Sequence, residues 1–413
     1  MDNMIETAIP WLSLLSDAFL FLIGLVFLFL VVVFIRDINQ TRDAVLRNYP
    51  VIGHFRYILS TLGEFFRQYF FAMDREEMPF NRAEREWIHR ATKNKGNTIA
   101  FGSTKSLLPV GTMIFENGAF PILDEESSPP ATVVYGEGYC KTPYHSNSII
   151  NISAMSFGAI SRPAVRALSA GAKKARAWYN TGEGGLSPYH LEGGADLVFQ
   201  IGTAKYGVRD EAGNLSDQKL AEIAAHDQVR MFEIKLAQGA KPGKGGILPA
   251  AKVTPEVSRI RGIPEGKDSI SPNRHLDINN TCELLDFVTH VRSVTGKPTG
   301  FKTVIGSGDW IDELCTEIAR RGPSSAPDFI TIDSGDGGTG AAPMTLMDHV
   351  GLTIREALPL VIDTLNRHGL KNRIKVVTSG KLITPVGVCW ALCTGADAIA
   401  SARGFMFALG CIQ

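Results

Sequence analysis

Two lysines stand where lysine is seldom placed. Lys235 and Lys302 fall inside apolar runs, RMFEIKLA (230–237) and TGFKTVIG (299–306), and an ammonium is rarely buried there without a partner. Such a lysine either snorkels to a rim or faces an anion, for instance a charged cofactor ring or a carboxylate substrate. Lys241 and Lys244 follow in the next loop and favour the anionic ligand. Glu183 lies in the turn Asn180-Thr181-Gly182-Glu183-Gly184-Gly185. A carboxylate between glycines at the mouth of a fold can act as general acid or base, or orient a substrate nitrogen; a solvated turn glutamate is the plainer alternative. Gln200 ends an otherwise apolar run and needs a hydrogen-bond partner there.

Three glycine clusters form the second signal. They are Ser334-Gly335-Asp336-Gly337-Gly338-Thr339-Gly340, then Thr378-Ser379-Gly380-Lys381, then Ser401-Ala402-Arg403-Gly404. Glycines let successive backbone N–H groups turn toward one anion, and a helix start adds its positive dipole end. Each cluster alone also suits a tight turn; the three together point to a phosphate-bearing cofactor. Gly239-Ala240-Lys241-Pro242-Gly243-Lys244-Gly245 is no Walker loop, being one residue short between its glycines with no Ser or Thr after the lysine. The Gly335 cluster is a poor dinucleotide fingerprint, because it belongs to a long series of strands rather than to an isolated βαβ unit.

The elements that must position these residues are legible as eight short runs. They are 148–155, 175–181, 195–202, 230–237, 299–306, 328–335, 374–380 and 397–404, with amphipathic stretches such as SRPAVRALSAGAKKA, TCELLDFVTHVRSV, WIDELCTEIARR and TIREALPLVIDTLNRH between them. That alternation predicts parallel βα units, and eight in succession predict a closed α/β barrel, the (β/α)8 or TIM fold. The second strand carries the weakest pattern. Nearly every run is followed at once by Gly, Lys, Ser or Gln, and in such a barrel those strand ends form the active-site rim. Loops after the seventh and eighth strands are its usual phosphate seat. Arg274, His275 and Asp277 fall in a loop between the fourth and fifth strands; without a local base–orienter pair, His275 is read as a lid contact.

Lys+Arg and Asp+Glu number 42 each, so no global field attracts nucleic acid and a nucleic-acid partner is not expected. The six cysteines are too sparse for a disulfide framework. Cys389 and Cys393, four apart on one helix face, read as buried small apolar residues. From Ala18 to Ile35 no residue is charged. That run meets the threshold of about 18 residues for a membrane span and lacks the amphipathic period of a surface-lying helix. Arg36, Arg42 and Arg47 follow it and would place the rest of the chain in the cytoplasm. The organisation expected is therefore a transmembrane anchor over residues 1–36, an accessory helical region and linker over 37–130, and a barrel over 131–413. Helical character shows in RYILSTLGEFFRQYFFAM and RAEREWIHRATKNK, and the prolines from Pro121 to Pro143 read as a linker.

INISAMSFGAIS, NTGEGG, FEIKLAQGAKPGKGG, SPNRHLDI, SGDGGTGAAP and ASARGFMFALGC, in this order, resemble the FMN-binding synthase domain of the glutamate synthase family over residues 130 to 413. The leading apolar helix is similar to that of short, stand-alone, membrane-anchored members. The resemblance implies FMN against Ala154, Met155 and Ser156, with Gln200 and Lys302 at the ring. Its phosphate would lie on Gly335, Gly337, Gly338, Gly380 and the Arg403–Gly404 turn. Glu183 and Lys235 would be catalytic, while Gln238 and Lys241 would hold 2-oxoglutarate or its imine. Reduced flavin would then deliver hydride to 2-iminoglutarate, giving glutamate, with orientation and electrostatics from the protein.

The chain departs from the family pattern in three expected respects. No glutamine-hydrolysing domain fits upstream, so ammonia would come free or from an amidotransferase subunit, beside an electron-donor subunit. Cys411 matches the first of three cysteines that hold a 3Fe-4S cluster, which only a longer chain would complete. The chain ends within the helix after the eighth strand, so a C-terminally truncated barrel is expected. Two other readings stay open. One is a flavin oxidoreductase that acts on another amino or 2-oxo acid and exchanges electrons with a membrane carrier. The other is a non-catalytic flavoprotein subunit.

Overall fold

The computed structural model describes residues 2–71, 75–96, 98–239, 245–339 and 342–411, which divide into two compact units, Met1–Ala83 and Glu84–Gln413. Eight strands of the second unit build its centre: β1 Ile150–Ile152, β2 Trp178–Asn180, β3 Asp196–Ile201, β4 Val229–Lys235, β5 Thr299–Val304, β6 Phe329–Asp333, β7 Lys375–Thr378 and β8 Ala398–Ser401. They pair in chain order into a closed barrel, and Ile399 of β8 pairs in parallel with Ile150 of β1. Each predicted run coincides with one strand to within a few residues. The four quoted amphipathic stretches form Arg162–Ala175, Thr281–Thr295, Asp309–Arg321 and Ile354–Arg367. Their buried apolar faces pack on the outward residues of the strands, such as Tyr179, Phe199, Phe232 and Ile330.

Because side chains alternate across a strand, the inward residues can be followed in layers. The lowest layer is apolar, with Trp178, Val198, Met231, Phe329, Val377 and Ala398 in one cluster. Two residues farther along the same strands stand Asn180, Gln200, Glu233 and Thr331, and Lys302 follows Gly300 in the same way. Two more steps give Lys235 and Asp333. The interior thus changes from hydrocarbon to polar to ionic over four residues of strand. Gly300 makes room for its bulky neighbour, since a Cβ there would lie 2.2 Å from the Phe329 carbonyl oxygen.

An antiparallel hairpin, Val133–Tyr135 with Tyr144–Ser146, brings Tyr135 and Tyr144 into the lowest layer. The Tyr135 ring meets Phe329 edge-on at 5.8 Å. This hairpin overlaps the stretch read as a linker: Pro129 and Pro130 precede ordered chain, and the later residues belong to the barrel's base. Asp328, at the foot of β6, secures that base. Its carboxylate lies 3.0 Å from Arg292 Nε and 3.1 Å from Arg373 Nη2. It also accepts from the Thr299 N–H at 2.9 Å and from the Cys140 thiol at 3.3 Å. Burial, and then this carboxylate, push the Cys140 thiol well above its ordinary pKa.

Two further sequence readings are corrected. Cys389 and Cys393 do share a face of the helix Pro385–Thr394, but both are exposed; the spacing places them together without saying which side is covered. His275 is 1% exposed and so is interior rather than a lid contact.

In the first unit, a helix runs from Asp2 to Asn39. Its segment Ser13–Asn39 includes an 18-residue stretch of mean hydropathy 3.3 and is long and apolar enough to cross a membrane. A short helix, Ala44–Asn48, and a longer one, Gly53–Phe66, follow, the latter continuing into a wider turn over Arg67–Phe71. The other predicted helical stretch forms Arg82–Thr92, across the boundary of the two units.

Candidate functional site

The C-terminal ends of the strands bring together most of the residues singled out by type. Glu183, in the turn after β2, lies 3.2 Å from Lys235 Nζ at the end of β4. Gln238 bridges the two: its Oε1 accepts from Lys235 Nζ at 2.8 Å and its Nε2 donates to Glu183 at 2.9 Å. Gln238 is buried, while Lys235 and Glu183 keep about a sixth and a fifth of their side chains exposed (16% and 21%). The carboxylate is therefore no solvated turn residue. It is held by a cation and an amide and opens on the mouth.

Close backbone approach makes this placement possible. Gly182 has a φ of +66°, which side-chain-bearing residues rarely adopt, and a Cβ there would meet the Ser156 nitrogen at 2.7 Å. A Cβ on Gly202, after β3, would lie 2.5 Å from the Glu183 Cβ. Gly202→Ala must therefore displace the Glu183 side chain from its present position beside Lys235. A misplacement of about 1 Å costs on the order of 10²-fold in rate, and turnover should fall by that factor with the fold intact by circular dichroism. Unchanged turnover would show that Glu183 has no positional role.

Below this group lies a carboxylate that reasoning from residue type passed over. Glu233 is 1% exposed and stands at the centre of the barrel. It accepts from Asn180 Nδ2 at 2.8 Å, Gln200 Nε2 at 2.7 Å and Thr331 Oγ1 at 2.6 Å. Gln200 thus has its partner. Lys302 Nζ lies 3.3 Å from Asp333. Burial works against its charge, but Asp333, Glu233 and Glu183 outweigh it and raise its pKa. Glu233 was detectable by the argument that selected Lys235, as a charge inside the same apolar run.

Across the mouth, the three glycine clusters meet. A Cβ on Gly380 would fall 2.3 Å from the Ser334 Cβ, and one on Gly338 would lie 3.2 Å from Arg403 Nη2. Gly335 packs on the backbone at Gly351, where a Cβ would meet a carbonyl oxygen at 2.5 Å, and Gly337 N donates to Ser334 O at 2.9 Å. Lys381 Nζ donates to Asp336 at 2.7 Å. Burial opposes the Asp336 charge, but Lys381 and Ser334 hold the carboxyl below its usual range. The result is a cradle of backbone beside a guanidinium, with Gly404 on the first turn of the helix Arg403–Ala408.

Ala154, Met155 and Ser156 leave β1 beside the Glu183 turn. Met155 N donates to Asn180 O at 3.4 Å, and Tyr179 Oη donates to Met155 O at 2.9 Å. Behind them His190 is fully buried, its Nδ1 2.8 Å from Ser187 Oγ. Burial holds its pKa down to about 4, with the Met155 backbone opposing. The unfolded imidazole titrates near 6.5, so between pH 6.5 and 4 the unfolded state binds more protons and stability falls as pH drops. His275 is held down to about 4 in the same way, by burial and then by Lys205. His190→Gln is expected to flatten, but not abolish, the loss of stability from pH 7 to pH 5 in chemical denaturation. An unaltered slope would mean that His190 is already charged in the fold.

Lys241, Lys244 and Gly340 lie outside the described residues. Among the described residues no three His, Cys, Asp or Glu side chains gather as a metal site; Cys411 lies after the last helix, its N–H on Met406 O at 2.9 Å.

A parallel barrel with an ionic group and a glycine-lined cradle on one rim has the architecture of the (β/α)8 enzymes, whose active sites occupy this face. The conserved region in glutamate synthase matches residues 122–413. The glutamate synthase large subunit-like protein YerD of Bacillus subtilis (strain 168) is 40% identical over 434 residues, covering 95% of this chain and 82% of that protein. The archaeal glutamate synthase (NADPH) of Methanocaldococcus jannaschii is 38% identical over 265 residues, 63% of this chain and 48% of that protein. For the archaeal-type enzyme of Dehalococcoides mccartyi the values are 35% over 262 residues, 63% and 49%. The chain thus spans about half the length of these archaeal-type relatives. It belongs to the glutamate synthase family.

Proposed function

We propose that the barrel mouth binds FMN and 2-oxoglutarate and makes glutamate by reducing the 2-imino acid formed with ammonia. The observation that carries this reading is the convergence of Glu183, Lys235 and Gln238 on one side of the mouth with the glycine cradle and Arg403 on the same rim. The cradle fits a phosphate because its glycines leave room that a Cβ would take from Ser334, Gly351 and Arg403, so that an anion can approach the backbone and the guanidinium closely. Gly335, Gly337, Gly338, Gly380, Arg403 and Gly404 would hold that phosphate, with the ring against Ala154–Ser156, Gln200 and Lys302. Bound there, FMN supplies the two-electron reduction that no side chain of the chain can provide.

The chain's own part is to bind, orient and manage protons. The Lys235 ammonium attracts a substrate carboxylate, and Lys241 is assigned the same task. Gln238 fixes the Lys235–Glu183 geometry and offers the substrate an amide. Glu183 orients the substrate nitrogen and exchanges its proton. Lys302, kept charged by its carboxylate neighbours, favours electron density on the ring beside it. The apolar helix Ser13–Asn39 is read as a membrane anchor, and the arginines after it put the barrel in the cytoplasm. Partners on this reading are 2-oxoglutarate, the membrane, and a subunit that supplies electrons or ammonia.

The test begins with the chain purified in mild detergent and denatured, its released flavin identified by chromatography and mass. One FMN per chain, followed by 15N-glutamate from 2-oxoglutarate and 15N-ammonium under a chemical reductant, is the expected result. FMN without glutamate, but with turnover of a quinone, would instead favour a membrane-linked flavin oxidoreductase acting on another acid. A folded chain that releases no flavin would overturn the proposal.

A further inference from the structure

We infer that the helix Gly53–Phe66 and the turn after it lie along an anionic lipid surface, as an interfacial arm locked to the membrane-crossing helix. The inference rests on reading Ser13–Asn39 as a span. The helix carries one apolar stripe, Phe55, Ile58, Leu59, Leu62, Phe65 and Phe66, at spacings of three and four that share a face. A stripe of this kind normally marks the side that is covered, yet here Ile58 is 51% exposed and Leu59 63%. The turn Arg67–Phe71 extends the stripe with Phe70 and Phe71, at 67% and 73%.

What covers the stripe is indicated by the joint with the span and by charge. Asp37, in the last turn of the apolar helix, is buried. Its carboxylate accepts from the Val51 N–H at 2.9 Å and lies 3.0 Å from His54 Nε2. Asp43 caps the helix Ala44–Asn48 through Val45 N at 2.8 Å and Leu46 N at 3.1 Å, and takes the Tyr57 hydroxyl. Two residues of the arm, His54 and Tyr57, are therefore tied to the elbow that leaves the span, so the arm begins where a bilayer surface would be. Between residues 36 and 71 there are five arginines and three acids, and the elbow engages two of those acids. The segment is thus basic by two charges, which suits anionic headgroups. A basic amphipathic helix with aromatic residues on its apolar side inserts that side at the boundary of headgroup and acyl chain.

The experiment uses the full chain in vesicles containing phosphatidylglycerol, with Cys282→Ser, Cys389→Ser and Cys393→Ser to clear the exposed thiols. This parent, without a new cysteine, supplies the labelling background. An environment-sensitive dye is placed in turn at Leu62→Cys, Thr61→Cys and Val26→Cys. The Leu62 label is expected to emit to the blue, and lipids brominated high on the acyl chain should quench it about two-fold more than the Thr61 label. Adding Arg56→Glu and Arg67→Glu, or omitting phosphatidylglycerol, should reduce that quenching. A Leu62 label with aqueous emission overturns the inference, as does one that shifts to the blue without lipid quenching, which would mean that protein covers the face. Val26 separates the two levels: deep quenching there with none at Leu62 sinks only the arm, whereas no quenching at Val26 removes the span itself.

Discussion

Lys235→Ala is expected to lower kcat/KM for glutamate formation about 10³-fold, or about 4 kcal/mol of transition-state stabilisation. The lysine lies 3.2 Å from Glu183 and donates to Gln238 at 2.8 Å. Without it the carboxylate loses the ammonium beside it, and an incoming anionic substrate meets a less positive mouth. Gln238 loses the donor that sets its amide orientation, so Glu183 is displaced as well as uncompensated. Because Lys235 stands at the rim with water in reach, folding should suffer little. Steady-state rates with 2-oxoglutarate and ammonia, read beside a thermal melt, decide the matter. An unchanged kcat/KM would remove Lys235 from substrate handling and with it the reading of the mouth.

Asp328→Ala acts at the opposite end. It removes the carboxylate that faces Arg292 and Arg373 at 3.0 and 3.1 Å, in a place with no water to take its role: Asp328 is 0% exposed. Breaking a buried pair from one side typically costs 3–5 kcal/mol, about the upper range for one substitution. The Thr299 N–H and the Cys140 thiol lose their acceptor at the same time, so the hairpin base should loosen with the barrel. Urea unfolding of the detergent-solubilised chain measures the loss. A change below about 1 kcal/mol would mean that both guanidiniums reach solvent once released.

The two ends differ in how far they could be read in advance. The rim was legible because chemistry and period coincide there: Lys235, Gln200 and Lys302 interrupt apolar runs, and the glycine clusters punctuate strand ends. Glu233 interrupts the same run as Lys235 but was masked by it, since adjacent charges of opposite sign look self-sufficient until the pleat sends them to successive layers. The base was illegible. Tyr135 and Tyr144 sit in three-residue strands behind a proline-rich stretch, and Asp328 meets partners from far apart in the chain, including Cys140, 188 residues away. No local period records such contacts. The elbow was hidden for the same reason, because the 17 residues from Asp37 to His54 cross two changes of direction.

The apolar lowest layer has a kinetic meaning. With Trp178, Met231, Phe329 and the two tyrosines closing one end of the barrel, the described residues leave the mouth as the way to Glu233 and Lys302. On the proposed function, substrate, product and the reductant of bound FMN would share that entrance and take turns in it. Such traffic favours a two-stroke cycle over a simultaneous encounter of both reactants, and excess of either one delays the other.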